Sequence, residues 1–246
     1  MNNPESFSKY LFILAHPDDE VYTSVFISEL VAKGKRVDVL YITDGNYGGL
    51  GEEREKEVFQ SMDAIGVLRK SIHFLRIPER EFMKKVTEAQ EKTLALAKEL
   101  NPECVVSHDF EGGHNGHDAV SFCASSVARE LNIPLYVFPT YHGWPEKRVW
   151  NRFVVGREAT YTLTLDSNQK LLKEKVINAH KTQEGFWTLI RQSRDFDVFS
   201  SREVLRYIEK PIGYNEPPTN PIGYEYPGSK ILFKDYISAI QNQGIK

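Results

Sequence analysis

Apolar positions along the chain follow two rhythms, short unbroken runs and longer stretches spaced by three and four. Residues 10–15 form a continuous apolar run, too short for a helix and suited to a strand covered on both faces. Residues 20–33 then carry helical spacing that Gly34 stops. The alternation repeats as strand 37–42 and helix 52–65, strand 72–75 and helix 81–100, strand 104–107 and helix 117–131, and strand 135–138. In the longest of these helices Phe82, Val86, Ala89, Thr93, Leu96 and Leu100 fall on one stripe, and Asn101-Pro102 ends it. Strand–helix alternation implies right-handed crossovers. The expected fold is therefore α/β: a Rossmann-like, doubly wound, mostly parallel sheet with helices on both faces.

The last third is less regular. Residues 159–165 alternate like an edge strand, and Asp166 is placed to cap a helix running to residue 183, with Leu172, Val176 and Ala179 inward. Beyond it, Pro211-Ile212-Gly213-Tyr214 is echoed by Pro221-Ile222-Gly223-Tyr224. Two copies are too few for a solenoid. They read as surface turns whose tyrosines pack, line a cleft or meet another copy of the chain, so a homo-oligomer stays open. No linker composition interrupts the sequence. The expectation is one domain, 1–246, with a core of 8–183 and an irregular C-terminal elaboration of 184–246.

In doubly wound sheets ligands bind beyond the carboxyl ends of the strands. The unusual residues cluster there, at 16–20, 43–51, 108–117 and 139–144. His16-Pro17-Asp18-Asp19-Glu20 leaves the first strand and opens a helix. Acids favour a helix start, which explains one of the three and not the set with its histidine. His16 and Asp19, three apart across a turn, are spaced to converge on one cation, and imidazole plus carboxylate suits zinc or a similar first-row ion. A third ligand has to come from elsewhere. Gly112-Gly113-His114-Asn115-Gly116-His117-Asp118 supplies two histidines, and either completes a three-donor site with a position left for water.

Ala15-His16-Pro17-Asp18-Asp19-Glu20 resembles the AHPDDE signature of the PIG-L/LmbE-like family of zinc-dependent N-acetylglucosaminyl deacetylases. Weaker similarities follow in order: Thr43-Asp44-Gly45 with Gly48-Gly49, Arg54 with Glu57, Leu75 with Ile77-Pro78, Gly113-His114-Asn115-Gly116-His117, and Ala179-His180-Lys181-Thr182-Gln183. The resemblance implies metal ligands His16, Asp19 and His117, with Asp18 as general base and a protonated His114 stabilising the oxyanion. It implies Zn2+ as cofactor, or another divalent first-row metal such as Fe2+. The implied activity is hydrolysis of the N-acetyl amide of a small amino-sugar conjugate.

Two departures stand out. The family has Pro-Asp between the two histidines where this chain has Asn115-Gly116, which removes an acid that would orient His114; Asp118 and Asp109 are the available substitutes. Val25-Phe26 replaces a small Gly-Gly pair, an expected narrowing of the cleft. The changed box also keeps alive a non-catalytic metal- or sugar-binding module of the same fold. Further candidates are Asp44 and Arg54 for substrate hydroxyls or an anionic group, against an internal loop-to-helix ion pair. His142 stands at the expected rim, and Tyr141 and Trp144 could stack on a sugar. His108 with Asp109 ends the fourth strand, and His180 and His73 read as structural.

Composition narrows the picture. The 246 residues are 41% hydrophobic, enough for a normal core, and the net charge of −3 argues against a dedicated nucleic-acid or polybasic membrane surface. No apolar run approaches the ~20 residues of a membrane span. The start reads as neither signal peptide nor anchor, and Cys104 and Cys123 read as buried thiols. The expected setting is cytoplasmic. The first turn lacks Gly-x-Gly-x-x-Gly, so a dinucleotide site is not expected, and residues 45–51 lack the lysine of a P-loop.

Overall fold

The computed structural model describes residues 3–46 and 48–241. Both ends of the expected domain, and Tyr47 in the glycine-rich loop, lie outside the described residues. The first half folds as β1 (Lys9–Leu14), α1 (Ser24–Ala32), β2 (Arg36–Thr43), α2 (Gly51–Ile65), β3 (Ile72–Ile77), α3 (Val86–Leu100), β4 (Cys104–His108), α4 (Asn115–Leu131) and β5 (Leu135–Phe138). A small hairpin follows, β6 (Tyr141–His142) and β7 (Val149–Trp150). Then come β8 (Tyr161–Thr164), α5 (Ser167–Ala179), α6 (Glu184–Arg191), α7 (Phe196–Ser201), β9 (Arg202–Tyr207) and α8 (Phe233–Gln241).

The main sheet runs β3-β2-β1-β4-β5-β9-β8; its first five strands are parallel, and β9 and β8 are antiparallel additions. Strand periodicity divides the core. Tyr10, Phe12 and Leu14 of β1 face a cluster with residues of α1, α2, α5, α6 and α7. Leu11, Ile13 and Ala15 face a second cluster with α3, α4 and α8. Each large apolar side chain buried this way contributes about 1.5–3 kcal/mol, which is why a continuous apolar run suits the central strand.

Several elements differ from the sequence expectation. The helix expected at 81–100 begins at Val86; before it lies a 3-10 segment, Glu79–Lys84, ending at a non-helical Lys85. That segment is tethered away from the helix axis, because Glu79 donates its N–H to Asp44 Oδ1 at 3.0 Å and sets its carboxylate against His16. The Asp166 helix has the capping box its residues suggest, with Gln169 reciprocating, but stops at Ala179. Cys104 and Cys123 are buried and unpaired. Both echo tyrosines are buried, and Tyr214 donates to Ser121 O at 2.9 Å, so packing accounts for that one.

The region expected as irregular elaboration supplies β9, which lies inside the sheet between β5 and β8. Strand β9 also carries Glu203, whose buried carboxylate accepts from the N–H groups of Val25 and Phe26 at 3.1 and 2.8 Å, the unpaired donors at the start of α1. Its counter-ion is buried Lys173, at 3.2 Å. Glu203→Ala leaves that ammonium uncompensated. The expected loss of unfolding free energy is about 3–5 kcal/mol, read by urea denaturation; a loss under 1 kcal/mol would refute this account of the pair.

Candidate metal and catalytic site

Strand order reverses between β2-β1 and β4-β5, so the loops after β1 and β4 diverge and leave a crevice at their carboxyl ends. The β1 exit brings His16 and Asp19 to that crevice, and the start of α4 brings His117. His16 Nδ1 lies 3.2 Å from His117 Nε2 and 3.4 Å from Asp19 Oδ2, and His117 Nε2 lies 3.3 Å from Asp19 Oδ1. Ligands about 2.0–2.1 Å from a tetrahedral ion stand about 3.4 Å from one another. The spacing of these three side chains therefore fits a zinc-sized cation.

Two other histidines approach the same point, and His114 with His16 and His117, or His108 with Asp19 and His117, also cluster closely enough to hold an ion. One nitrogen of each is otherwise engaged. His108 Nε2 accepts from the Ala15 N–H at 3.1 Å in a fully buried position, and His114 Nδ1 accepts from the Gly116 N–H at 3.1 Å. The far nitrogens of His16 and His117 are engaged as well, which turns their near nitrogens toward the centre. His16 Nε2 meets Glu79 Oε2 at 3.1 Å. His117 Nδ1 meets Thr140 Oγ1 at 3.0 Å, and that hydroxyl in turn donates to the buried carboxylate of Glu111. Partners of this kind fix the tautomer and strengthen a ligand.

Burial alone would lower His16, but Glu79 and Asp19 outweigh it and raise it to about 10. The pocket thus already favours a positive charge at His16. Burial would raise Asp19, yet His117 and His108 hold it well below the usual carboxylate range. Glu79→Gln should weaken metal binding by roughly 10–100-fold, measured by competitive titration with a chromogenic chelator; unchanged affinity would remove Glu79 from this role.

Asp18 sits in left-handed backbone at φ 116, a conformation that costs a non-glycine residue on the order of 1–3 kcal/mol. Two buried groups hold it. Arg54 donates to Asp18 Oδ1 at 2.8 Å, to Gly45 O at 2.8 Å and to Pro17 O. Glu20 accepts the Asp18 N–H at 3.1 Å while bonded to Tyr41, Ser61 and His180. Burial pushes Asp18 up to about 6, against the opposing pull of Arg54 and with help from Asp19. A carboxylate there is poised to exchange a proton near neutrality.

His114 caps α4. Burial first, and His16 second, lower it to about 4, so it is neutral rather than protonated as the sequence suggested. With Nδ1 accepting from Gly116, the proton is on Nε2. Gly116 also makes room: a Cβ there would lie 3.0 Å from His114 Nδ1. Backbone thus supplies the orientation expected of an acid in the box. Asp118 accepts instead from the N–H groups of Glu111 and Gly112, and Asp109 is paired with Arg157 and Arg206.

The cavity over these groups has a volume of about 180 Å³, and its lining includes Asp18, Glu79, Tyr22, Tyr141, Gln183 and Phe186. Val25 and Phe26 are core residues, not among those lining it, so they do not narrow it as expected. Arg54 lines it but is spent on Asp18 and the loops. Asp44 accepts from the N–H groups of Asn46 and Glu79. His142 stands 3.8 Å from Glu111 Oε2, outside the lining. Trp144 donates to Ile222 O, and His73 pairs with Asp38. Sequence reasoning missed Glu79, Glu111 and Thr140. Glu79 follows the Ile77-Pro78 segment and Glu111 precedes the glycine-histidine box, but only tertiary closure brings either to a histidine.

A family model described as PIG-L, GlcNAc-PI de-N-acetylase, matches residues 11–128. A probable N-acetylglucosaminyl-phosphatidylinositol de-N-acetylase of Dictyostelium discoideum is 31% identical over 49% of this chain and 52% of its own length. The chain thus spans about half of that relative. A 1D-myo-inositol 2-acetamido-2-deoxy-alpha-D-glucopyranoside deacetylase of Segniliparus rotundus is 28% identical over 65% of both chains. Among solved structures, N,N'-diacetylchitobiose deacetylase of Pyrococcus horikoshii has a TM-score of 0.64 at 19% identity, over 83% of this chain and 85% of that one. This last likeness establishes the shared fold. The segment from residue 11 to residue 128 that the PIG-L family model matches carries β1 to α4 and with them His16, Asp18, Asp19, His114 and His117.

Proposed function

We propose that this chain is a metal-dependent N-deacetylase that hydrolyses the acetamide of an N-acetylglucosamine-type conjugate. The observation that carries the reading is the convergence of His16 Nδ1, Asp19 and His117 Nε2 at tetrahedral-edge spacing beside an Asp18 raised to about 6. Zinc, or another divalent first-row ion, fits these three donors; when bound it supplies Lewis acidity toward water and carbonyl oxygen.

The chain's own groups supply the rest. Asp18, held by Arg54, accepts the proton of the attacking water and returns it to the departing amine. His114 donates its Nε2–H to the carbonyl oxygen as charge develops there, a contribution worth about 2.7–4 kcal/mol for a single well-placed donor. Remaining neutral, it gives no positive charge to compete with the cation. A cavity of about 180 Å³ is smaller than the roughly 300–1,000 Å³ usual for whole ligands. It suits the acetamido end of a larger molecule, with the remainder at the rim. The amino-sugar deacetylases among the relatives support the same substrate class. The unpaired thiols of Cys104 and Cys123 support a reducing, cytoplasmic setting, and among the described residues no helix is long and apolar enough to cross a membrane.

The test is acetate release from a panel of N-acetylglucosamine conjugates by zinc-loaded protein, with metal content measured in parallel. Acetate release that tracks metal occupancy is the expected result. Full metal occupancy without acetate across the panel would leave a binding module and overturn the reading.

A further inference from the structure

The cavity over the donor set has one apolar side. Among the described residues Tyr22, Tyr141 and Phe186 line it with their rings, and every other lining side chain is an imidazole, carboxylate, guanidinium or amide. Tyr22 and Tyr141 are buried, whereas Phe186 is half-buried and stands nearest to solvent. The ring side begins next to a metal donor, since the ring centre of Tyr141 is 5.6 Å from that of His117. Phe186 belongs to α6, beyond the segment that the family model matches.

These rings are held from behind. The ring centre of Phe186 lies 5.9 Å from that of Tyr141, and 5.4 and 5.1 Å from those of Trp150 and Trp187, both edge-on. Tyr22 is backed by Phe138, Trp187 and Phe199 at 6.3, 6.3 and 5.6 Å. Close-packed rings do not yield to an oversized neighbour without losing contacts elsewhere. The apolar side is therefore a fixed wall, and a fixed wall can measure length.

In the proposed reaction the amide oxygen goes to the cation and His114, and the amide nitrogen to Asp18. The methyl is what remains. It gains only against apolar surface; against a carboxylate or guanidinium it would strip water from the charge and return nothing. It therefore lies along the ring side, and each carbon added to it runs into the rings. Tyr22 and Tyr141 are closed off behind by other side chains, so only Phe186 gives way to solvent when trimmed. We infer that Phe186, with Tyr22 and Tyr141, walls the acyl end of the site and that Phe186 sets the acyl length at acetyl; this rests on the deacetylase reading above.

The experiment compares zinc-loaded wild type, Phe186→Ala and Phe186→Leu on the N-acetyl, N-propionyl and N-butyryl amides of one glucosamine glycoside. In wild type kcat/KM should fall about 10–200-fold for each added methylene, the range for a fitted apolar pocket. Phe186→Ala should raise kcat/KM on the butyryl amide by about tenfold or more while leaving acetyl the less affected substrate. Phe186→Leu keeps more of the packing with Trp150 and Trp187 and should do the same on the propionyl amide, so the test stands where the alanine variant fails to fold. Parallel losses on all three amides, as a ring stacked on the sugar would give, or an unchanged length preference, overturn the wall while leaving deacetylation intact. Calorimetric binding of acetohydroxamate against butyrohydroxamate gives a readout without turnover. Wild type should prefer the shorter acid and Phe186→Ala should lose that preference; equal affinities in wild type overturn the wall even where acetate release is absent.

Discussion

Asp18→Asn is expected to lower kcat for acetate release by about 10²–10⁴-fold, the usual contribution of a positioned acid–base group, with metal stoichiometry retained. The substitution keeps the side chain's shape and removes its ability to hold a proton in transit. Arg54 keeps two of its three acceptors, Gly45 O and Pro17 O, so the loop stays anchored. Metal content by atomic absorption and near-ultraviolet circular dichroism separate loss of chemistry from loss of fold. Turnover within threefold of wild type at full metal occupancy would remove Asp18 from the base role. Loss of bound metal would show that Asp18 belongs among the ligands.

His117→Ala is expected to abolish both metal retention and turnover, because it removes one of three donors and leaves His16 and Asp19 unable to close a tetrahedral face. Thr140→Val is the graded companion. It keeps the imidazole but deletes the hydroxyl that stands between His117 Nδ1 and Glu111. Its expected cost is the roughly 10–100-fold in affinity typical of a ligand's hydrogen-bonding partner. Equilibrium dialysis against buffered zinc measures both. The ordering matters more than either value: should Thr140→Val lose metal as completely as His117→Ala, the hydroxyl would be a structural prop for the whole crevice. Should His117→Ala hold metal at wild-type affinity, the donor set is wrong.

The sequence disclosed the parallel half of the fold because its strands are short apolar runs with helical stripes between them, and each signal is local. Residues 135–138 read as a strand from composition alone and form β5. Of the antiparallel half, residues 159–165 already alternate like an edge strand and form β8 at the sheet's edge, whereas β9 was hidden. Strand β9 is short, half-polar and preceded by two brief helices, and its burial depends on β5, some 70 residues earlier in the chain. The chemistry of His16 to Glu20 was legible since three acids and a histidine at an apolar strand's exit have no packing use. Glu79 was not, because one glutamate after Ile77-Pro78 looks like any helix-start acid. The ionisation of His114 was also beyond sequence, since it is set by burial and by His16 across the crevice.

The contacts of Glu203 and His180 bear on how far the molecule can be cut down. All three proposed metal donors and Asp18 fall within the first 117 positions, which invites expression of an amino-terminal fragment as a minimal catalyst. Yet His180 holds the Glu20 that fixes the backbone of Asp18, Glu203 closes the open end of α1, and Tyr214 is bonded to α4 just past His117. Removing the last third would strip the scaffold from behind an intact set of ligands, so truncation libraries for engineering should spare it and vary the rim instead.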